Sequence, residues 1–140
     1  MLFREVLHPA RTLLILCGLV LPLPLAAKTP PASALDADYV AALAAADHFL
    51  EAWQAGDIER GLVLLTSHAK EKATTETVEK FFSNPGPSGY EIGRGKLLKR
   101  GRYEFPVVLV SPSKNHARRR FCSIVIVDTG KNDWAVDKLP

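Results

Sequence analysis

The sequence contains few residues that carry chemistry on their own. Its two cysteines, Cys17 and Cys122, are too few for the disulfide framework that staples many small extracellular domains. Its four histidines lack metal-ligand spacing and no close cysteine pair joins them, so no metal or cofactor is expected. No G-x-S-x-G stands anywhere, which removes the nucleophile elbow. Gly93, Gly95 and Gly101 lie among Arg94, Lys96, Lys99, Arg100 and Arg102, but lack the Lys-Ser/Thr pair and following helix of a phosphate loop. A bent or bulged strand is the expectation there. There is no internal repeat. The apolar run over residues 12–27 falls short of the about 20 residues a membrane-spanning helix needs.

That short run reads instead as part of a secretory signal peptide over residues 1–27. Arg4 and Arg11 give the positive start, residues 12–25 the apolar stretch, and Ala26-Ala27 the small-residue cleavage site. Pro22 and Pro24 weaken the end of the run as a helix. The expected product is exported, periplasmic or secreted, and begins at Lys28. The rival reading keeps residues 1–27 as an N-terminal membrane tether, favoured by the bulky Leu25 three residues before the cut. Leu16 is too bulky for a lipid-attachment site at Cys17. With Cys17 gone, Cys122 stands alone in an apolar run and reads as a small buried hydrophobe. A reactive thiol, its pKa depressed by Arg118, Arg119 and Arg120, is the alternative.

Residues 28–36 form a Pro/Ala-rich leader, and 37–140 suffice for one domain with one core. The formal charge of the whole chain is +3. Residues 28–84 carry five Lys/Arg against nine Asp/Glu, whereas 85–140 carry eleven against five. An acidic half thus precedes a basic one.

The acidic half has helical spacing. Tyr39, Leu43, Ala46, Leu50 and Trp53 share one face of a first helix, flanked by Asp47, Glu51 and Gln54. Asp36 or Asp38 caps its start, and Gly56 follows its end. A second helix is expected over about 58–69, and a third after Thr74 or Thr75 with Val78, Phe81 and Phe82 inward. The breaker-rich run 83–89 marks the switch to strands. Strands are expected over 90–99, 102–111, 118–128 and 134–138, with Pro106 at an edge or bulge. Helices followed by antiparallel strands imply an α+β domain, with helices packed on one face of a curved sheet.

Two segments carry a family resemblance: FLEAWQAGDIERGLVLL at 49–65 and WAVDKL at 134–139. With them the chain, over roughly residues 37–139, resembles the nuclear transport factor 2-like superfamily, also called cystatin-like or ketosteroid-isomerase-like. The resemblance implies a cone-like α+β roll with a pocket between helices and sheet. Its members include isomerases, dehydratases, cyclases, subunits of larger assemblies and secreted domains. Fold alone therefore selects no function.

An isomerase-type site needs a pocket carboxylate with a raised pKa and a donor for the developing oxyanion. Tyr39, Tyr90 and Tyr103 are the donors to consider, and Asp47 is the best-placed carboxylate. Asp137 and Glu104 alternate with apolar residues and are expected to face solvent, and Asp128 ends a strand beside a turn. His48 lies opposite Tyr39 on the helical wheel, His68 nears the end of the second helix, and His116 sits in a polar turn. No catalytic residue is assigned.

The leading expectation is a non-catalytic binding or interaction domain of the bacterial cell envelope. Tyr39, Trp53, Phe82, Tyr103 and Trp134 are expected to line its pocket for an apolar small molecule. If the strands pair in sequence, Lys99, Arg100 and Arg102 come close to Arg118, Arg119 and Arg120 at one end of the sheet as a basic patch for an anionic surface; the alternative is a solvated strand edge whose charges guard against aggregation. Nucleic acid is a poor partner for an exported chain. The alternatives are a small isomerase- or dehydratase-type enzyme, and a subunit that homodimerises through the open sheet.

Overall fold

A computed structural model of the chain describes residues 34–84 and 86–140, with side chains from residue 37 onward. The expected signal peptide, residues 1–27, and residues 28–33 of the expected leader lie outside the described residues. Among the described residues, four helices precede five strands.

Helix α1, Ala34–Ala55, opens ahead of the expected Asp36 or Asp38 caps. Its buried stripe is broader than the spacing suggested. Ala42, Ala46 and Ala52 are fully buried with Phe49 and Leu50, whereas Tyr39 and Leu43 are half-buried at the margin. The small alanines let the helix axis lie close to the sheet. Gly56 ends the helix as expected. Its φ of 67° allows Gly56 N–H to reach Trp53 O and Asp57 N–H to reach Ala52 O, a Schellman closure.

The single second helix expected over 58–69 is two helices, α2 (Ile58–Val63) and α3 (Ser67–Lys72). Two competing demands break it. Thr66 turns its hydroxyl to the Ala69 N–H and starts α3 as an N-cap. The backbone on either side of Leu65 is taken by the last strand: Thr66 N–H donates to Val136 O, and Val136 N–H to Leu64 O. Helix α4, Thr75–Phe82, is capped by Thr74 and buries Val78 and Phe82.

The glycine-interrupted strand also divides. Strands β1 (Gly89–Ile92) and β2 (Lys96–Lys99) both run antiparallel to β3 (Arg102–Pro112), one after the other along its length. Pro106 of β3 has no N–H for the ladder, and the chain between β1 and β2 bends past it. Gly95 sits so close to the Phe105 ring that a Cβ there would fall 2.4 Å from it. Strand β4, Ala117–Gly130, lies between β3 and β5, Asp133–Lys138.

The core lies between the helices and one face of this sheet. Tyr103, Phe105, Val107 and Leu109 of β3, Ile124 and Ile126 of β4, and Trp134 and Val136 of β5 meet Phe49, Leu50, Trp53 and Phe82. Among the described residues, no helix covers the opposite face of the sheet. Phe121 stands on it 77% exposed, across from Val108 in the ladder.

Candidate functional site

The interior expected to be a ligand pocket is filled with side chains at most of the positions named for it. Tyr103, Phe82 and Trp134 are core residues. Tyr39 packs edge-on to Tyr103 at 5.8 Å and against Phe105 at 5.5 Å, and its hydroxyl accepts from Gly95 N–H at 3.1 Å. Tyr103 also meets Trp134 at 5.8 Å. These rings pack against one another, because aromatic pairs in offset or edge contact stabilise a core beyond their area. Of the five expected pocket residues, Trp53 alone lines a concavity described below.

That concavity is a cleft of about 500 Å³ where α4 faces the β3–β4 end of the sheet. Strand alternation builds one wall. Arg118 and Arg120 share the face of β4 that carries Ile124 and Ile126 toward the helices, paired with Ser111 and Leu109 of β3. Helix α1 ends before it covers these positions, so the sheet's inner face opens there. The last turn of α4 builds the other wall with Lys80 and Phe81. Trp53 at the floor is fixed by two bonds: its Nε1–H donates to Phe81 O at 2.9 Å, and Asn84 Nδ2 donates to Trp53 O at 2.5 Å. The Arg120 guanidinium lies 5.5 Å from the centre of the Phe81 ring, within cation–π range. Among the described residues, no Asp or Glu lines the cleft. None of the ion pairs among the described residues involves Lys80, Arg118 or Arg120.

The two basic clusters do not meet, contrary to expectation. Antiparallel pairing sets Arg102 opposite Val127 and Arg118 opposite Ser111, so the clusters occupy opposite ends of the β3–β4 ladder. At about 3.3 Å per residue they are roughly 30 Å apart. Arg102 is moreover held by Asp137, while Lys99 and Arg100 stand exposed at the β2–β3 turn. Arg119 points to the other face of the sheet from Arg118 and Arg120.

Asp47 and Tyr90 come together, although sequence spacing gave no sign of it. Tyr90 Oη donates to Asp47 Oδ1 at 2.7 Å beside a groove of about 470 Å³ lined by Val40, Leu43, Ala44 and Ile92. Burial, reinforced by the hydrogen bond and charge of Asp47, pushes the Tyr90 phenol well above its ordinary value. The phenol thus holds its proton against the carboxylate.

Asp137 was expected in solvent, yet its side chain is only 9% exposed. It accepts from Arg102 Nη1 at 2.7 Å and Thr66 Oγ1 at 2.9 Å, and meets His68 Nδ1 at 3.1 Å. Desolvation alone would raise its pKa. The bonds from Thr66, Arg102 and His68 outweigh it and hold the carboxyl below its ordinary value. The alternation read correctly that it lies opposite Val136. What it missed is that α3 and Arg102 cover that side, and His68 belongs to the start of α3 rather than to a helix end. Glu104 is likewise not free: Lys96 reaches it at 2.8 Å and Ser123 donates at 3.1 Å. Asp128, His48 and His116 are exposed.

Cys122 is half-buried, and its Sγ donates to Val107 O at 3.5 Å. Burial pushes the thiol up more strongly than Arg120 lowers it. Among the described residues no group of three His, Cys, Asp or Glu is placed to hold a metal ion. No described helix is long and apolar enough to cross a membrane.

No family profile and no curated protein matches the sequence. Among solved structures, the chain is similar to an NTF-2-like protein of unknown function from Shewanella oneidensis MR-1. The TM-score is 0.53 at 11% identity, over 70% of this chain and 93% of the other. Helices on one face of a five-stranded antiparallel sheet, with this likeness, make the chain's fold nuclear transport factor 2-like.

Proposed function

We propose that the chain is an exported, non-catalytic binding domain of the bacterial cell envelope, and that its ligand sits in the cleft between α4 and the β3–β4 end of the sheet. The observation that carries this is the contrast between two regions. The cone interior is packed with Tyr39, Phe82, Tyr103 and Trp134, while the cleft keeps about 500 Å³ open beside Trp53, Phe81 and Leu109. That volume lies within the range of small-molecule sites, and the mixture of apolar floor and polar rim is what such sites present. The cleft also lacks a carboxylate, and its lining offers no acid–base couple.

The test is titration with N-phenyl-1-naphthylamine, a neutral aromatic fluorophore. Saturable one-site binding, weakened at least about tenfold by Phe81→Ala, is expected on loss of that ring's burial. Binding that ignores Phe81→Ala overturns the reading.

A second reading, a small isomerase-type enzyme, is favoured by the Asp47–Tyr90 pair beside its apolar groove. It requires hydrogen–deuterium exchange at the α-carbon of an apolar ketone, catalysed by the protein and lost in Asp47→Asn.

A further inference from the structure

We infer that the cleft selects its ligand by charge: its occupant is a small organic anion whose aromatic or alkyl body lies on Phe81 and Trp53 and whose carboxylate, phosphate or sulfonate meets Arg118 and Arg120. This rests on the cleft being the ligand seat. Three cations, Lys80, Arg118 and Arg120, converge on one concavity from two separate elements, α4 and β4. Among the described residues, none has an acidic partner and no acidic side chain lines the cleft. Elsewhere three cations are paired across elements: Arg102 with Asp137, Lys96 with Glu104, Arg60 with Glu51. Other cations without an ion pair, among them Lys99, Arg100 and Arg119, stand on exposed surface, whereas Lys80, Arg118 and Arg120 share one concavity.

Arg120 is held over the Phe81 ring at 5.5 Å, which orients its guanidinium beside the apolar floor. A planar guanidinium binds carboxylate and phosphate by paired N–H bonds, so two of them favour an oxyanion over a simple halide. Ser83, Ser111 and Ser113 add neutral hydroxyls on the same rim. The concavity takes one molecule at a time. A membrane surface is flat, and would meet Arg119 on the outer face no less readily than Arg118.

The experiment compares two fluorophores with one aromatic body. N-phenyl-1-naphthylamine is neutral, and 8-anilino-1-naphthalenesulfonate is the same molecule carrying a sulfonate. The anion is expected to bind at least about tenfold tighter, as a charge-assisted bond to a guanidinium implies. The double variant Arg118→Gln/Arg120→Gln is expected to weaken the anion at least about tenfold more than the neutral probe. Arg119→Gln, from the other face of the same strand, is expected to leave both unchanged. All three side chains are exposed, and an unchanged thermal midpoint confirms an intact fold.

Equal affinity for the two probes, indifferent to the double variant, overturns the charge inference while the cleft still stands as a ligand seat. Saturable binding of neither probe overturns both. Sedimentation with phosphatidylglycerol vesicles that Arg119→Gln abolishes as fully as the double variant does would also overturn it, in favour of a membrane surface.

Discussion

Asp137 Oδ2 lies 2.7 Å from Arg102 Nη1, and through that contact the last strand, the start of β3 and the N-terminus of α3 are tied at one point. The same carboxylate accepts from Thr66, the residue that caps α3 with its hydroxyl oxygen. Asp137 therefore acts as a structural clasp. Asp137→Asn keeps the shape but removes the charge that Arg102 and His68 face. A loss of about 2 kcal/mol is expected in urea unfolding, as for a partly buried charged hydrogen-bond partner. The pH dependence has a definite sign. The native carboxyl titrates below its ordinary value, so its stabilisation is present above about pH 4 and fades as pH falls through the lower native value. The acid limb of the wild-type stability curve is expected to be steeper than that of Asp137→Asn.

Tyr90 makes the opposite prediction at high pH. Its phenol is raised in the folded state, so the native protein keeps a proton that the unfolded chain releases above about pH 10. Stability should fall as pH rises from there, and Tyr90→Phe should lack that share of the fall. The same variant is expected to cost about 1 kcal/mol at neutral pH by removing the bond to Asp47. Chemical denaturation of the two proteins at pH 7 and at alkaline pH reads both effects.

The end of α1, the start of α4 and the order of helices before strands were legible in the sequence because they depend on local chemistry. Gly56 adopts positive φ where a Schellman end needs it, and Thr74 caps α4 where the spacing placed a third helix. What failed depended on partners distant in sequence. Nothing near Leu65 shows that β5 will take its backbone and split the expected helix at Thr66. Asp137 reads as a surface residue until Arg102 and Thr66 are brought to it from 35 and 71 residues away. The basic clusters were misjudged for a related reason: hairpin pairing fixes which end of a long ladder each occupies, and their sequence separation does not. The cleft itself was half legible. Arg118, Arg120 and Trp53 were singled out, but Lys80 and Phe81 join them only once α4 packs beside the sheet.

Gly61 shows how tightly α2 and α4 approach. A Cβ at this position would lie 2.0 Å from Phe82 Cζ, and the Phe82 ring is itself buried. The ring has no open space to swing into without disturbing Phe49 and Phe81, which it meets at 5.7 and 5.4 Å. Gly61→Ala therefore introduces overpacking despite the better helix propensity of alanine. A destabilisation of about 2–3 kcal/mol is expected. The companion change Phe82→Leu, made in the Gly61→Ala background, should recover part of it, because the shorter side chain vacates the space the new methyl needs. A double-mutant cycle in urea measures the recovery.

Phe121 is the large apolar side chain on the helix-free face that most invites explanation. It is 77% exposed and sits opposite Val108, with Arg119 and Ser123 on the same side of β4. As it buries little area within its own chain, Phe121→Ser is expected to change monomer stability by less than about 0.5 kcal/mol. Any larger effect must come from a second copy. Sedimentation equilibrium at several concentrations separates the cases. A homodimer through the sheet would cover Phe121, so its dissociation constant should rise at least about tenfold in the variant, the scale set by losing an aromatic anchor at an interface. A wild type that sediments as a monomer throughout removes the dimerising-subunit reading, and leaves this face to strand-edge and surface effects alone.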